Sequence, residues 1–265
     1  MNILDRIVEA KKKETWARKK NCPVQVLERS AFFDKPVISF FDSLNKKEPS
    51  VIAEFKRRSP SKGVINNKAE IEQVASGYFS AGVSAMSVLT DSGFFGGSEE
   101  DLEKVVRLSL LPVLRKEFII DEYQVIESKA IGASAILLIG AILSKSESKK
   151  LSSLAKSIGL EVLFEIHDES DLEKMDTEVR IAGVNNRDLK SFDINMDNSL
   201  RLLNMIPPEC LKVAESGFRT VNDVMEMYSH GYDAFLIGER FMRSDDPSES
   251  AAEFMKNLKS RGYEC

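Results

Sequence analysis

Cysteine and histidine are scarce in this chain of 265 residues. Its three cysteines, Cys22, Cys210 and Cys265, are odd in number and far apart, which argues against a disulfide framework and a zinc cluster. The two histidines, His167 and His230, form no metal-binding pair, and the sequence shows neither an acidic cluster with metal spacing nor a Ser-His-Asp pattern. We therefore expect no metal site and a reducing compartment, with the cytoplasm as the default.

Long apolar runs and an excess of basic charge are also absent. The longest apolar run, 133–143, is too short to span a bilayer. Asp5, Arg6 and Glu9 interrupt the region that would have to be apolar in a signal peptide. The net charge of −5 disfavours a surface that binds nucleic acid. We expect a cytoplasmic protein that binds neither membrane nor nucleic acid.

What the sequence does have is a regular alternation of two periodicities. Short apolar runs typical of buried strands alternate with longer segments of helical period, eight times in succession. The strand-like runs are 51–55, 85–89, 112–115, 135–139, 161–165, 180–184, 211–214 and 234–237. The helical segments are 68–81, 98–109, 121–131, 144–158, 168–175, 197–205, 220–230 and 247–261.

Eight strand-helix units predict parallel strands with crossover helices, which close naturally into an α/β fold of the (β/α)8 TIM-barrel type. We expect a single domain over 1–265, with a helical N-terminal extension (1–48) ahead of the barrel (49–265). A doubly wound open sheet is the alternative, but the SPSKG after the first strand is not a dinucleotide-binding loop. Expected helix caps and terminal glycines are Asp121, Ser144, Asp168, Thr220, Gly82, Gly132, Gly159 and Gly231.

The N-terminal extension contains an amphipathic pattern. Ile3, Leu4, Ile7 and Val8 have helical spacing, and the lysines at 11–13 alternate with acids. We expect those lysines to form the solvated face of a helix. Whether the extension caps the barrel or covers its mouth is left open.

Charged or amide side chains end five of the eight predicted strands, where a (β/α)8 barrel carries its active site. Glu54 and Lys56 are two residues apart and so share one face of the first strand. Burying charge costs several kcal/mol, which favours a site over the alternative, a structural ion-pair network. His167 is either a hydrogen-bonding residue at the base of a loop or a catalyst. The other strand-end groups are Lys116, Glu165, Asn185, Arg187 and Glu215.

The loops after the seventh and eighth strands suggest a phosphate site. They contain Ser216-Gly217 and Gly238-Glu239, and small residues let backbone N–H groups approach an anion closely. The loop after the first strand adds Ser59 and Ser61. Two aromatic side chains near the predicted mouth can stack on an aromatic substrate: Phe95 and Phe118.

These motifs carry a resemblance. The run AEFKRRSPSKG resembles the signature of the indole-3-glycerol-phosphate synthase family, and LTDSGFFGGS, PVLRKEFI, EVLFEIHDE, GVNNRDL, AESG and FLIGERFM resemble that family's blocks in its order. The resemblance covers the whole chain. It implies a carboxy-lyase step of tryptophan biosynthesis without a cofactor. In that step, 1-(2-carboxyphenylamino)-1-deoxyribulose 5-phosphate closes to indole-3-glycerol phosphate with loss of CO2 and water.

The resemblance also implies residue roles. Lys116 matches the general acid of ring closure, Glu165 the base of the dehydration, and Lys56 the partner of the substrate carboxylate. A carboxylate repels phosphate, so we expect Glu239 to contribute only its backbone N–H. The groups implied to position these residues and the substrate hydroxyls are Glu54, Asn185 and Glu215. The implied phosphate and substrate contacts are Ser59, Phe95, Phe118, Arg187, Ser216, Gly217, Gly238 and Glu239.

Two other functions stay open. One is a Schiff-base lyase, in which Lys56 or Lys116 attacks a carbonyl. The other is a barrel that binds a phosphorylated metabolite without turning it over. In each case the expected partner is a small phosphorylated molecule, and the chain is expected to be a monomer or a homodimer. The loop at 59–67 is a candidate mobile lid.

Overall fold

The computed structural model describes residues 3–188 and 193–262. Cys265 and Leu189, which ends the GVNNRDL block, lie outside the described residues. Ten strands are described: β1 Ser50–Phe55, β2 Arg58–Ser59, β3 Gly63–Val64, β4 Ala85–Leu89, β5 Val113–Lys116, β6 Ala135–Ile139, β7 Glu161–Ile166, β8 Ile181–Asn185, β9 Leu211–Glu215 and β10 Ala234–Ile237.

Helices follow each strand of the barrel. The helices of the described residues are α1 Ile3–Asn21, α2 Val24–Leu27, α3 Phe40–Leu44, α4 Ile71–Ala81, α5 Ser92–Phe95, α6 Glu99–Leu108, α7 Glu122–Ala130, α8 Lys145–Ser157, α9 Glu169–Leu172, α10 Met196–Leu203, α11 Val221–His230, α12 Glu239–Met242 and α13 Pro247–Gly262, with a 3-10 turn at Gly140–Ile142. None of these helices has both the length and the apolarity that a membrane crossing needs.

Eight of the strands form a closed parallel barrel in the order β1-β10-β9-β8-β7-β6-β5-β4. The predicted (β/α)8 barrel and the helical N-terminal segment are therefore confirmed, and the open-sheet alternative is wrong. The remaining strands, β2 and β3, pair antiparallel in the loop after β1. No pattern in the sequence indicated this hairpin.

The predicted helix caps are confirmed. The side chains of Asp121, Ser144, Asp168 and Thr220 each accept a hydrogen bond from a backbone N–H in the first turn of the helix that follows. Gly82 and Gly231 end their helices in the left-handed conformation. Gly132 and Gly159 also have positive φ, one residue beyond the C-cap.

Two helices begin or end three residues inside their predicted bounds, whereas the other bounds differ by at most two residues. The segment predicted at 68–81 becomes helical only at Ile71, because Asn66 Oδ1 accepts the N–H groups of Lys68 and Ala69 and forms a turn instead. The segment predicted at 168–175 leaves the α-helix after Leu172 and continues in i→i+3 turns. In both places local hydrogen bonds compete with the helical ones.

The core has two layers. One fills the space between the barrel and its surrounding helices, and the other fills the barrel interior. The α3 residues Phe40, Phe41 and Leu44 belong to the interior layer and close the amino-terminal end of the barrel. The carboxylate of Glu161, at the start of β7, accepts the N–H of Phe41 at 2.9 Å and so fixes α3 there. Within the described residues the barrel is therefore open only at its carboxyl end.

Candidate active site

A cavity at the carboxyl end of the barrel brings together all fourteen residues that the sequence analysis proposed for the site. The barrel strands supply one group, at or just beyond their ends: Glu54, Lys56, Lys116, Phe118, Glu165, Asn185, Arg187 and Glu215. The loops and short elements supply the other: Ser59, Phe95, Ser216, Gly217, Gly238 and Glu239.

Lys116 lies at the centre of this cavity. It is the last residue of β5, and its Nζ lies 2.9 Å from Glu165 Oε2 and also contacts Glu215 Oε2. Glu165 and Glu215 come from β7 and β9, so the ammonium group bridges carboxylates from two other strands. The side chain of Lys116 is 12% exposed, and both carboxylates are buried. The strands thus hold a charged amine at the floor of the cavity.

A second ion pair lies beside the first. Lys56 Nζ contacts Glu54 Oε1 on β1, as their two-residue spacing predicts. Gly238 makes room for this carboxylate, because a Cβ at that position would lie 2.5 Å from Glu54 Oε1. Gly183 does the same for Glu215, with a Cβ that would lie 2.5 Å from its Oε1. The structure thus gives Gly238 a steric role in addition to the expected anion contact.

The cavity contains more carboxylates than ammonium groups. Glu54 pairs with Lys56, whereas Glu165 and Glu215 share Lys116, and Glu165 also faces the ring of His167, so Glu215 has no full counter-charge. Burial raises the pKa of Glu215 to about 7, which Lys116 opposes and Glu165 reinforces. Burial would also raise the pKa of Glu165, but Lys116 and His167 outweigh it and lower that pKa. The extra proton of this cluster therefore resides on Glu215, which is about half protonated near pH 7.

Lys116 itself stays charged. Burial disfavours its ammonium form, but the carboxylates of Glu165 and Glu215 outweigh burial and raise its pKa above the ordinary value. Asn185 supports the arrangement, since its side chain hydrogen-bonds Glu165 and helps to lower the pKa of that carboxyl group. Asn185 Oδ1 also accepts the N–H of Arg187 at 3.0 Å.

His167 has the structural role at the base of its loop that was one of the two alternatives left open by the sequence. Its backbone N–H donates to Asp171 Oδ2 at 3.0 Å and its carbonyl accepts from Asn198 Nδ2 at 2.8 Å, which fixes the base of the loop. Its ring lies between two carboxylates, with Nε2 3.4 Å from Glu165 Oε1 and Nδ1 3.7 Å from Asp171 Oδ2. Burial opposes the imidazolium form, but Asp171 and Glu165 outweigh it and raise the His167 pKa.

The candidate phosphate loops have unusual backbone conformations. Ser216 has a φ of 69° and Gly217 a φ of 95°, and the Ser216 carbonyl accepts from Asn186 Nδ2 at 2.9 Å. A left-handed serine is rare and stores strain of about 1 kcal/mol or more, which surrounding contacts must stabilise. Such strain is typical of functional sites.

The carboxylate of Glu239 does not stand alone beside these loops. Arg187 Nη2 lies 3.5 Å from its Oε2, and Arg243 Nη2 lies 3.0 Å from its Oε1. Two guanidinium groups therefore offset the negative charge with which the Glu239 carboxylate would otherwise repel a phosphate group. Glu239 also begins α12, next to Gly238.

The family model for indole-3-glycerol phosphate synthase matches residues 4–254 of this chain. The chain belongs to the indole-3-glycerol phosphate synthase family. An indole-3-glycerol phosphate synthase from Bacteroides thetaiotaomicron is 38% identical over 257 residues, which covers 97% of this chain and 99% of the relative. One from Lachnospira eligens is 42% identical over 259 residues, covering 95% of this chain and 96% of the relative.

Solved structures with low sequence identity share the fold. The tryptophan synthase alpha subunit from Legionella pneumophila superposes with a TM-score of 0.63 at 10% identity and covers 85% of this chain and 98% of its own. The 3-hexulose-6-phosphate synthase from Salmonella typhimurium gives a TM-score of 0.62 at 13% identity, covering 80% and 99%. At these identities the likeness shows the barrel architecture and nothing about the chemistry.

The family motifs do not include every residue that lines the cavity. Ile3, Leu4 and Ile7 of α1 form part of its wall, so the N-terminal extension covers one side of the mouth. Their helical spacing was visible in the sequence, but nothing in the spacing showed which surface they would contact. The rings of Phe95 and Phe118 line the same cavity, with centroids 5.9 Å apart.

One expectation for the extension is wrong. Lys11 does not belong to a solvated face, since it is only 2% exposed and pairs with three carboxylates. Lys12 and Lys13 are exposed, as expected. Lys11 differs from them because it lies on the same side of α1 as Ile7 and Thr15, which are also buried.

Proposed function

We propose that this chain catalyses the conversion of 1-(2-carboxyphenylamino)-1-deoxyribulose 5-phosphate to indole-3-glycerol phosphate, with release of CO2 and water. The observation that carries the proposal is the position of Lys116, a charged amine held between Glu165 and Glu215 in a cavity lined by both polar and apolar side chains. A carbonyl placed above it would meet a hydrogen-bond donor that is already oriented.

In the first step the substituted aromatic ring attacks the ribulose carbonyl carbon, and negative charge develops on the carbonyl oxygen. Lys116 donates a hydrogen bond and then a proton to that oxygen. General acid catalysis of this kind contributes roughly 10² to 10⁴ in rate. Its raised pKa means that Lys116 enters the step charged.

Loss of CO2 then restores the aromatic ring, and the new hydroxyl group leaves as water. Lys56 pairs with the substrate carboxylate before that bond breaks, in competition with Glu54. As the double bond of the five-membered ring forms, the ring carbon next to nitrogen loses a proton, and Glu165 takes it up. Its lowered pKa means that Glu165 is ionised and able to accept this proton. Glu165 passes this proton to the neutral amine that the first step left on Lys116, 2.9 Å away, and Lys116 gives it to the leaving hydroxyl. A proton from solvent then restores the ammonium form of Lys116, because loss of CO2 from a carboxylate consumes one proton overall.

Under this proposal the substrate lies across the mouth, with its phosphate at the loops after β9 and β10. The backbone N–H groups around Gly217 and Gly238, Ser59, and the guanidinium of Arg187 then face the anion. The aromatic end lies against Phe95, Phe118 and the apolar wall of α1. A cytoplasmic location, no binding of nucleic acid, and a monomeric or homodimeric state belong to the same proposal.

A Schiff-base lyase is less well supported by the site. A lysine nucleophile must be neutral, and the two carboxylates on Lys116 keep it protonated. Treatment with borohydride during turnover tests this alternative, since it would trap a covalent adduct on Lys116 or Lys56 if an imine formed. We expect no adduct by mass spectrometry.

The main test is indole fluorescence after the purified protein is mixed with the carboxyphenylamino-deoxyribulose phosphate, with no cofactor added. We expect the wild type to form indole-3-glycerol phosphate and Lys116→Met to lose roughly 10² to 10⁴ in rate. Lys149→Met, an exposed lysine of α8, is the matched control and should keep full activity. A wild type that binds the substrate without making product would support the binding-only barrel instead.

A further inference from the structure

We propose that Lys11 of α1 is a positioning residue that fixes the aromatic pair Phe95 and Phe118, and with it the aromatic end of the substrate. The inference deepens the proposed function and rests on it. Lys11 does not line the cavity. It acts through two carboxylates that each hold the backbone beside one of the two rings.

The first of these carboxylates belongs to Asp91. Lys11 Nζ lies 2.9 Å from Asp91 Oδ2. The other oxygen, Oδ1, accepts the N–H of Phe94 at 2.6 Å and that of Phe95 at 3.0 Å, which caps the short helix α5. The side chain of Asp91 is 2% exposed, so water does not substitute for the lysine. Lys11 therefore fixes the carboxylate that orients Phe95.

The second carboxylate belongs to Glu117. Lys11 Nζ lies 3.2 Å from Glu117 Oε1, which also accepts the N–H of Phe118 at 2.9 Å. The other oxygen accepts the hydroxyl of Thr90 at 2.8 Å. One ammonium group thus joins the loop after β4, which carries Phe95, to the loop after β5, which carries Phe118.

Burial makes this arrangement dependent on the lysine. A buried carboxylate without a counter-charge is strongly disfavoured, and here Asp91 and Glu117 share the ammonium group of Lys11. Arg115 adds a positive charge near Glu117 but forms no ion pair with it, so Lys11 is the direct partner of both. Glu14, on the same helix, adds a third partner at 2.7 Å. If the charge of Lys11 is lost, Asp91 and Glu117 repel each other, and the two loops that they cap must move apart. The rings, whose centroids are 5.9 Å apart, move with them.

The same contact holds α1 over the mouth. Ile7, one turn before Lys11, is buried and lines the cavity together with Ile3 and Leu4. Lys11 therefore fixes both surfaces that would enclose an aromatic ring, namely the Phe95 and Phe118 side and the α1 side. The phosphate loops after β9 and β10 do not contact it, so their affinity for an anion should not depend on it.

The test compares two ligands on Lys11→Met and on Lys12→Met, an exposed lysine of the same helix. One ligand is the borohydride-reduced substrate, which keeps the ring, the carboxylate and the phosphate but has no carbonyl to react. The other is ribulose 5-phosphate, which lacks the ring. We expect Lys11→Met to weaken binding of the reduced substrate about tenfold and to leave ribulose 5-phosphate within about twofold. Lys12→Met should change neither.

Turnover gives a second measurement. Lys11→Met should raise KM for the substrate with a much smaller change in kcat, because ring contacts are made in the ground state and the transition state alike. In a Phe118→Leu background, Lys11→Met should add little to the loss, since the two residues act on the same contact.

Several results would overturn the inference. Equal weakening of both ligands, or additive losses in the Phe118→Leu background, would show general damage instead of positioning. Lys11→Gln serves as a second, less apolar variant, and unfolding of both variants would show that Lys11 maintains the fold itself. If the wild type fails to bind the reduced substrate at all, the proposed function fails instead. Normal wild-type binding that Lys11→Met does not weaken would refute only the role of Lys11.

Discussion

Strand β5 has a charged cluster on each side, and the two clusters differ in kind. On the inner side Lys116 meets Glu165 and Glu215 in the open cavity. On the outer side its neighbour Arg115, fully buried, forms an outer ion cluster with Glu99, Glu127 and Arg18. Arg115 also donates to the Gln124 carbonyl, to Ser128 and to Thr90, so its guanidinium is satisfied on every side.

The difference shows how one strand separates stability from chemistry. The outer cluster uses arginine, which cannot lose its proton and makes several fixed hydrogen bonds. The inner cluster uses lysine, which can transfer a proton, and leaves Glu215 Oε1 without a hydrogen-bond partner among the described residues. A cluster with all its hydrogen bonds made holds the wall in place. A cluster with an acceptor oxygen that is not yet hydrogen-bonded can still bind a substrate.

The strongest test exchanges the chemistry of one side for that of the other. Lys116→Arg keeps the charge beside Glu165 and Glu215 but removes a transferable proton. We expect the rate of indole-3-glycerol phosphate formation to fall by about 10² to 10⁴, while the thermal midpoint changes little. Activity within tenfold of the wild type would mean that charge alone suffices at this position.

Arg115→Met tests the outer side. Removing one partner from a buried ion pair leaves uncompensated carboxylates, here Glu99 and Glu127, and costs about 3 to 5 kcal/mol in the free energy of unfolding. Denaturant unfolding measures this loss. Arg107→Met, which removes an exposed pair with Glu103 and a cation contact with the Phe32 ring, should cost about 1 kcal/mol or less. Equal losses in the two variants would contradict the distinction between the clusters.

Gly238→Ala makes a smaller change at the inner side. The added Cβ overlaps Glu54 Oε1, so the carboxylate must shift and its ion pair with Lys56 must weaken. Overpacking of this size costs about 1 to 3 kcal/mol, and the rate should fall with it. Gly93→Ala is the control, because its new methyl group would have no neighbour within 4 Å among the described residues beyond those adjacent in the chain. Unchanged activity in Gly238→Ala would mean that Glu54 is not needed in its present position.

The smallest expected effect is a pH dependence. The folded state raises the pKa of Glu215 to about 7, from an ordinary value of 4.5, so it favours the protonated form. Stability from this group is complete below the ordinary pKa and is lost as the pH rises through about 7. The difference in thermal midpoint, Glu215→Gln minus wild type, should therefore increase as the pH rises from about 5 to about 8. A constant difference across that range would contradict the assignment of the extra proton to Glu215.

Local sequence patterns predicted the barrel and the inner cluster well. Two-residue spacing placed Glu54 and Lys56 on one face, and strand parity placed Lys116, Glu165 and Glu215 in the same mouth. These predictions succeed because each barrel strand points alternate residues inward, and because the carboxyl ends of all eight strands meet.

The outer contacts could not be predicted in the same way. Lys11 and Arg115 are buried against carboxylates of other helices and loops, and helical or strand periodicity carries no information about such partners. The steric role of Gly238 likewise depends on Glu54, on the strand that closes the barrel next to β10. Residues whose surroundings are built from distant segments need the three-dimensional structure.

The closure of the barrel's amino-terminal end by α3 determines how substrate and product can pass. Phe40, Phe41 and Leu44 close that end, and apolar side chains fill the interior above them. In the described barrel the interior therefore opens to solvent through the carboxyl end alone, so substrate and product must use the same opening. Under the proposed function, a bound product blocks the next substrate, so indole-3-glycerol phosphate must be released before another catalytic cycle begins.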